Sequence, residues 1–467
     1  MKNPWAPAGA APPAQLHPSQ PSPSQPSPLA AGGPGRTVAA AGVLPAWPMM
    51  VLLAGFPLWW ALGAAPFAPA ALALVMLALL LIRGRITLVP GLLPWFAFLL
   101  WVGAAAVNLP DGGAAVGYAQ RLGNLAAVGI FMLYYVNARE RLSARRLMAA
   151  VGVVWVTVVL LGLAAMVWPE FRLRTPIGAV LPGALTQNPL VYDLVMPPLA
   201  EIQQPWGAPE PFNRPAAPFP YANSWGVAFA LLTPCALYLV TVARHWWSKL
   251  ALLALLVVSF IPALATSNRG MLLGVAVGTG YVVLRIAARG QLVKVAGLAL
   301  GVAAAVGALT ASGALARILG RQEYSDSTSG RLRIYDATWA ATLQSPLVGH
   351  GGPRMDATIG ISLGTQGYIW MLMFSYGLVG LGLFLYFLGN GIIRTWQAPG
   401  TAGLWLHGVL ITAVGIIPYY SLDIMQMTTV ALAMAVLLRA KYHDEPLNGS
   451  PPQTPAAVLP PPRQLHP

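Results

Sequence analysis

The sequence predicts an all-α polytopic membrane protein with about 12 transmembrane helices and two long loops on the non-cytoplasmic side. Three observations lead there. Hydrophobic residues make up 57% of the 467 and charged residues only 9%, against roughly a quarter charged in soluble domains. Apolar runs close to the length of a bilayer span recur along the chain. Basic residues crowd every second gap between those runs. The net charge of +14 is spread through these gaps, which is the pattern of membrane topology and not of a nucleic-acid groove.

The runs lie near 48–64, 66–82, 92–107, 116–136 and 147–167, then 221–243, 250–266, 270–286 and 295–314, and finally 367–388, 404–419 and 424–438. Arg83 and Arg85 follow the second run, and Arg139, Arg141, Arg145 and Arg146 the fourth. Arg244 and Lys249 follow the sixth, Arg285, Arg289 and Lys294 cluster at the end of the eighth, Arg394 follows the tenth, and Arg439 and Lys441 the twelfth. The excess of cytoplasmic Lys and Arg in membrane proteins then places these gaps, and both termini, in the cytoplasm of a multi-pass protein of the plasma (inner) membrane. Residues 1–40 and 441–467 are rich in Pro, Ser and Ala and read as disordered tails around a transmembrane domain at 41–440, because such segments bury too little apolar surface to offset ordering entropy. The N-terminal tail has no signal-peptide pattern, so the first apolar run is expected to remain as a helix. The single cysteine, Cys235, sits in an apolar run and reads as a small buried or lipid-facing residue.

Two non-cytoplasmic loops, 168–220 and 315–366, are long enough to be structured and functional. The second contains an expected amphipathic surface helix, Arg331–Gln344. Leu332, Tyr335 and Trp339 share one face at helical spacing, Ser329 lies near its start, and Pro346 stops it.

The positive-inside pattern leaves exceptions. Arg172, Arg174, Arg214, Arg269, Arg317, Arg321, Arg331, Arg333 and Arg354 fall on the non-cytoplasmic side, and no lysine joins them. Guanidinium forks match phosphate and carboxylate, so this set suits an anionic ligand at headgroup level. The competing reading is snorkelling to lipid headgroups and pairing with acids such as Glu323 and Asp326. Arg121 falls inside the fourth run, where a charge faces a cavity or a partner.

Four short patterns occur in order: Arg214, Phe219 and Asn223; Ser267, Arg269 and Gly270; Ser329, Gly330 and Arg331; and Pro346, Leu347, Gly349 and Gly351. Gly377, Leu378 and Gly380 follow. Together they resemble the O-antigen ligase/polymerase family of bacterial membrane glycosyltransferases over roughly 147–388. The resemblance implies a GT-C-like fold and cell-surface polysaccharide assembly at the outer face of the plasma membrane. The donor would be an undecaprenyl-pyrophosphate-linked glycan and the acceptor a sugar, lipid or protein. It implies no cofactor and no metal, and the sequence carries no D-x-D, H-E-x-x-H or Walker pattern.

The resemblance also implies roles. Arg269 would act in catalysis, and Arg214, Asn223, Arg331, Arg333, Arg354, Gln366 and Tyr368 would contact substrate. The family's general-base histidine is missing, since Thr365 and Gln366 stand in its place. His350 is the nearest imidazole and Asp336 a carboxylate alternative, with Asp356 and Asp423 also on that side. The missing histidine leans toward a polymerase. A transporter or flippase of lipid-linked sugars, and a non-catalytic glycan-lipid-binding relative, are the other readings.

Overall fold

The computed structural model describes residues 42–109, 112–204, 211–311, 313, 327–356 and 360–448. The N-terminal tail, the end of the C-terminal one, Arg317, Arg321, Glu323 and Asp326 lie outside the described residues. The chain is mostly helical, and each apolar run falls on a helix or a helix pair.

The first run is a pair, α1 (Trp47–Ala54) and α2 (Phe56–Leu62), because Pro57 near the start of α2 cannot continue an uninterrupted ladder. Then come α3 (Ala68–Arg83), α4 (Leu93–Ala104) with a 3-10 turn to Asn108, α5 (Gly112–Asn137) and α6 (Ala144–Val167). Gly84 ends α3 in the left-handed region, with its N–H on the last carbonyls. Ser143 caps α6 by accepting from the Arg146 N–H.

The first long loop folds into α7 (Pro176–Val180), α8 (Gly183–Thr186), α9 (Pro189–Val195) and an antiparallel hairpin, β1 (Ala200–Gln203) with β2 (Phe212–Pro215). Next are α10 (Ala222–Val242), α11 (Trp246–Ala265), α12 (Arg269–Ala288) and α13 (Leu292–Ala311). The surface helix is α14 (Ser327–Thr342), followed by a second hairpin, β3 (Arg354–Asp356) with β4 (Ile361–Leu363). Finally come α15 (Tyr368–Arg394), α16 (Gly400–Ile416) and α17 (Ile424–His443).

Six of the described helices are long and apolar enough to cross a bilayer: α6, α10, α11, α12, α15 and α17. The chain is therefore a polytopic helical membrane protein. Helix α10 is the hub, packing on α6, α11, α12, α16 and α17. Small residues allow the close approaches. Gly278 of α12 lies against Thr412 and Gly408 of α16, where an added Cβ would fall 1.9 Å from the Thr412 hydroxyl. Outward-facing Leu253, Val257, Ile261 and Leu284 are exposed, an apolar perimeter suited to lipid.

The basic residues of the even-numbered gaps gather at one end. Arg439 is fully buried there, ion-paired with Glu445, donating to the carbonyls of Tyr135 and Leu142 and lying over the Tyr135 ring. Arg285 and Arg289 bond the α15–α16 turn through the carbonyls of Trp396, Ala398 and Gly400. Both hairpins belong to the other, loop-bearing end.

Helix α15 is broken. At Gly377 the backbone takes φ 71°, ψ −179°, a region reserved for glycine. The Pro346–Gly351 loop inserts into the break. The N–H groups of His350 and Gly351 donate to the carbonyls of Phe374 and Ser375 at 2.8 Å, and Leu378 N–H donates to the Pro346 carbonyl at 2.7 Å. Freed backbone groups inside a bundle need such partners. A Cβ on Gly377 would fall 1.9 Å from the Leu347 carbonyl, and one on Gly349 2.5 Å from the Gly377 nitrogen. The two glycine patterns are the two halves of one docking contact.

The surface of α14 divides by side-chain size. Leu332 and Trp339 are exposed, while Ile334, Thr338 and Thr342 are buried, with Ala337 and Ala341 beside them. Small and β-branched side chains form the stripe that fits against α15, and the bulky apolar ones turn outward.

Candidate functional site

Arg214 is built into the loop-bearing end. In the first hairpin it stands opposite Glu201, and their side chains pair at 3.6 Å. Its Nε donates to the Thr266 carbonyl at 2.8 Å, Nη1 to Gln203 Oε1 at 3.1 Å and Nη2 to Asn223 Oδ1 at 3.0 Å. Burial pulls the Arg214 guanidinium below its ordinary value; Glu201 and Tyr420 oppose this and Arg331 adds to it. With a side chain so enclosed, Arg214 is a positioning residue that ties the hairpin to the mouths of α10 and α11. Asn223, which also faces Asn268, belongs to the same network.

That network sets the α11–α12 turn. Ser267 takes a left-handed φ of 51°, and Asn268 caps α12 by accepting from the Met271 N–H at 3.0 Å. Arg269 is the first residue of α12 and is exposed, with no hydrogen bond or ion pair to any described residue. Gly270 is needed because the Tyr420 ring occupies the place of a Cβ, 1.9 Å away.

Tyr420 joins the parts. The Arg331 guanidinium lies 5.3 Å from its ring centre, a cation–π distance. Its carbonyl accepts from the Tyr368 N–H at 3.1 Å. The neighbouring Ser421 hydroxyl donates to the Thr365 carbonyl at 3.3 Å. The turn between α16 and α17 thus touches α12, α14 and the Thr365–Tyr368 segment. Asp423 caps α17 in a capping box with Gln426. Burial raises the Asp423 carboxyl above its ordinary value, opposed by a hydrogen bond from Ser224. Arg331 is half-buried and makes no ion pair with a described residue, while Arg333 and Asp336 are exposed. Gln366 is half-buried at the same turn.

Tyr368 does not face a ligand. Its ring is 2% exposed and meets Phe384 edge-on. Placed at the first position of α15, it turns into the bundle. Tyr335 stacks on Trp370 at 4.3 Å.

His350 and Arg354 form a separate group. His350 hangs from the far end of α14, its Nε2 donating to the Ala341 carbonyl at 2.9 Å. Nε2 therefore carries a hydrogen. Ala341 is ten residues beyond Arg331, roughly 15 Å along the helix. Arg354 donates to the carbonyls of Asn108 and His350 at 2.7 and 3.0 Å. Arg121 of α5 reaches the Gly351 carbonyl at 3.4 Å and the Tyr376 hydroxyl. Together they line a cavity of about 110 Å³.

Residues 253–385 match the family described as O-antigen ligase. The chain is similar to that family over this segment. No curated protein matches the chain. The ligase-family segment runs from α11 into α15 and contains Arg269, Arg331, His350, Arg354 and both halves of the docking contact. Arg214, Asn223 and Tyr420, which complete the first group, lie outside it. The match supports membrane glycan ligation or polymerisation in general. Glu201, Gln203, Asn268 and Tyr420 escape sequence reasoning. Only Asn268 carries a usable local signal, a helix N-cap before an apolar run.

Proposed function

We propose that the protein is a glycosyltransferase that polymerises or ligates glycan from an undecaprenyl-pyrophosphate donor at the outer face of the plasma membrane. The supporting observation is the pair Arg269 and Arg331. Arg331 lies over the Tyr420 ring and Arg269 precedes the glycine packed against it; both lack a carboxylate partner among the described residues, and Arg269 opens a helix. Helix N-termini favour anions. Pyrophosphate is a good leaving group, so holding its charge and orienting the acceptor accounts for much of the barrier. Arg214 and Asn223 hold the turn that presents Arg269, and the Tyr420 ring positions Arg331. Donor cleavage then proceeds without a metal. The twelve-span topology, with both termini cytoplasmic, brings the loop-bearing end outside.

The test is in vitro. Purified protein receives a short glycan on undecaprenyl pyrophosphate, and products are resolved for elongation or transfer. Arg269→Ala is expected to lower the rate by about 100-fold or more, the usual effect of removing one stabiliser of developing charge. EDTA leaves wild-type activity intact. Full activity of Arg269→Ala would remove the central role given to that side chain. Asp336→Asn tests the exposed carboxylate as acceptor of the hydroxyl proton.

A further inference from the structure

Arg121, Arg354 and His350 play no part in the pyrophosphate site proposed above, yet they share one cavity of about 110 Å³. That space equals three to four waters at roughly 30 Å³ each, room for one tetrahedral oxyanion. The Nε atoms of both arginines are buried and without a hydrogen-bond partner among the described residues. The ion pairs that form among described residues involve Arg83, Arg172, Arg214 and Arg439, not these two. Both side chains are half-buried, and a partly desolvated cation with a spare buried donor favours a counter-charge. His350 lines the same cavity, its Nε2–H turned to the Ala341 carbonyl. Glycines keep the space open. A Cβ on Gly352 would fall 2.1 Å from Arg121 Nη2.

We propose that this cavity is a second anion site, taking a single phosphate group of the acceptor, so that donor and acceptor are both phosphate-bearing and sit at opposite ends of α14. The acceptor role rests on the transferase reading; the phosphate site does not. The phosphate is either the headgroup of a lipid-linked acceptor or a free ion, and the probes separate the two.

The test uses full-length protein in a phosphate-free glycoside detergent, titrated with inorganic phosphate and with a short-chain polyprenyl phosphate by calorimetry. Wild type is expected to bind the polyprenyl phosphate at two sites. Gly117→Asp is the decisive variant. Gly117 lines the cavity, and its Cβ would sit 3.6 Å from Arg121 Nη1, so an aspartate there supplies an internal counter-ion. It should weaken one site by roughly tenfold or more while the melting temperature holds. Arg354→Gln should weaken the same site, and Arg269→Ala the other. Binding of the lipid probe alone identifies a headgroup; binding of both probes identifies phosphate as such. Wild-type titrations in both Gly117→Asp and Arg354→Gln would overturn the site. If no glycan transfer occurs but cavity binding persists, the transferase reading falls and the site stands. If transfer to a phosphate-bearing acceptor shows the same KM in wild type and Gly117→Asp, the acceptor assignment falls.

Discussion

Gly377→Ala is expected to destabilise the protein by about 4–6 kcal/mol, combining backbone strain with lost hydrogen bonds. At φ 71°, ψ −179°, an L-residue is strained by roughly 1–3 kcal/mol before any contact is considered. The new methyl would also lie 1.9 Å from the Leu347 carbonyl. That carbonyl is backbone and cannot swing aside, so the Pro346–Gly351 loop must withdraw. Withdrawal breaks the bonds from His350 and Gly351 to Phe374 and Ser375 and the one from Leu378 to Pro346. Each is worth about 1 kcal/mol when made, and more when a buried partner stays unsatisfied. The assay is a thermal melt in detergent, followed by the fraction remaining monodisperse on size exclusion. Gly382→Ala is the control, because a Cβ there meets nothing within 4 Å and should be neutral or slightly stabilising in a helix. Equal melting temperatures for the two variants would refute the inserted-loop account of both glycine patterns.

Other outcomes follow from individual side chains. Glu445→Gln removes the counter-charge of fully buried Arg439, and a melt should register a loss of about 3–5 kcal/mol; Arg439→Met in that background should recover most of it. Arg214→Lys cannot reach Thr266, Gln203 and Asn223 together, so it should lower stability by about 2–3 kcal/mol, with residual activity tracking the folded fraction. Asp423→Asn keeps a capping oxygen while removing a carboxyl whose folded value is raised by burial. Below the unfolded carboxyl value of about 4 both forms are neutral and the variants should melt alike. As pH climbs through and past the raised folded value, the charged wild type is penalised, so Asn gains relative stability there; an advantage that shrinks as pH rises would contradict the buried-carboxyl reading.

The helices were legible because lipid demands long apolar runs, and a bilayer leaves the backbone few alternatives. The break in α15 was not legible. Gly377 and Gly349 are 28 positions apart, and neither pattern says that it closes on the other. The face that α14 turns to α15 was not legible for a related reason. Periodicity selects the bulky residues, Leu332, Tyr335 and Trp339, whereas close approach to α15 selects Ile334, Thr338 and Thr342. Where one helix faces both protein and a lipid surface, size decides the buried side more than hydrophobicity does. Tyr368, an aromatic beside a loop, reads in sequence equally as sugar platform and as core, and the fold buries it.

The arginines divide by what the fold does with their charge. Arg172, Arg214 and Arg439 have acids placed against them, and the partner of Arg214, Glu201, is fixed by hairpin register. Arg269, Arg331, Arg121 and Arg354 have no carboxylate in ion-pair reach among the described residues. With 27 basic and 13 acidic residues, the chain cannot neutralise itself by internal pairing. Charges held at a helix end or lining a cavity, with donors left over, favour a counter-ion from outside. The folded chain places those charges in two groups separated by the length of α14, which argues for two anionic ligands held at once and not for one large one.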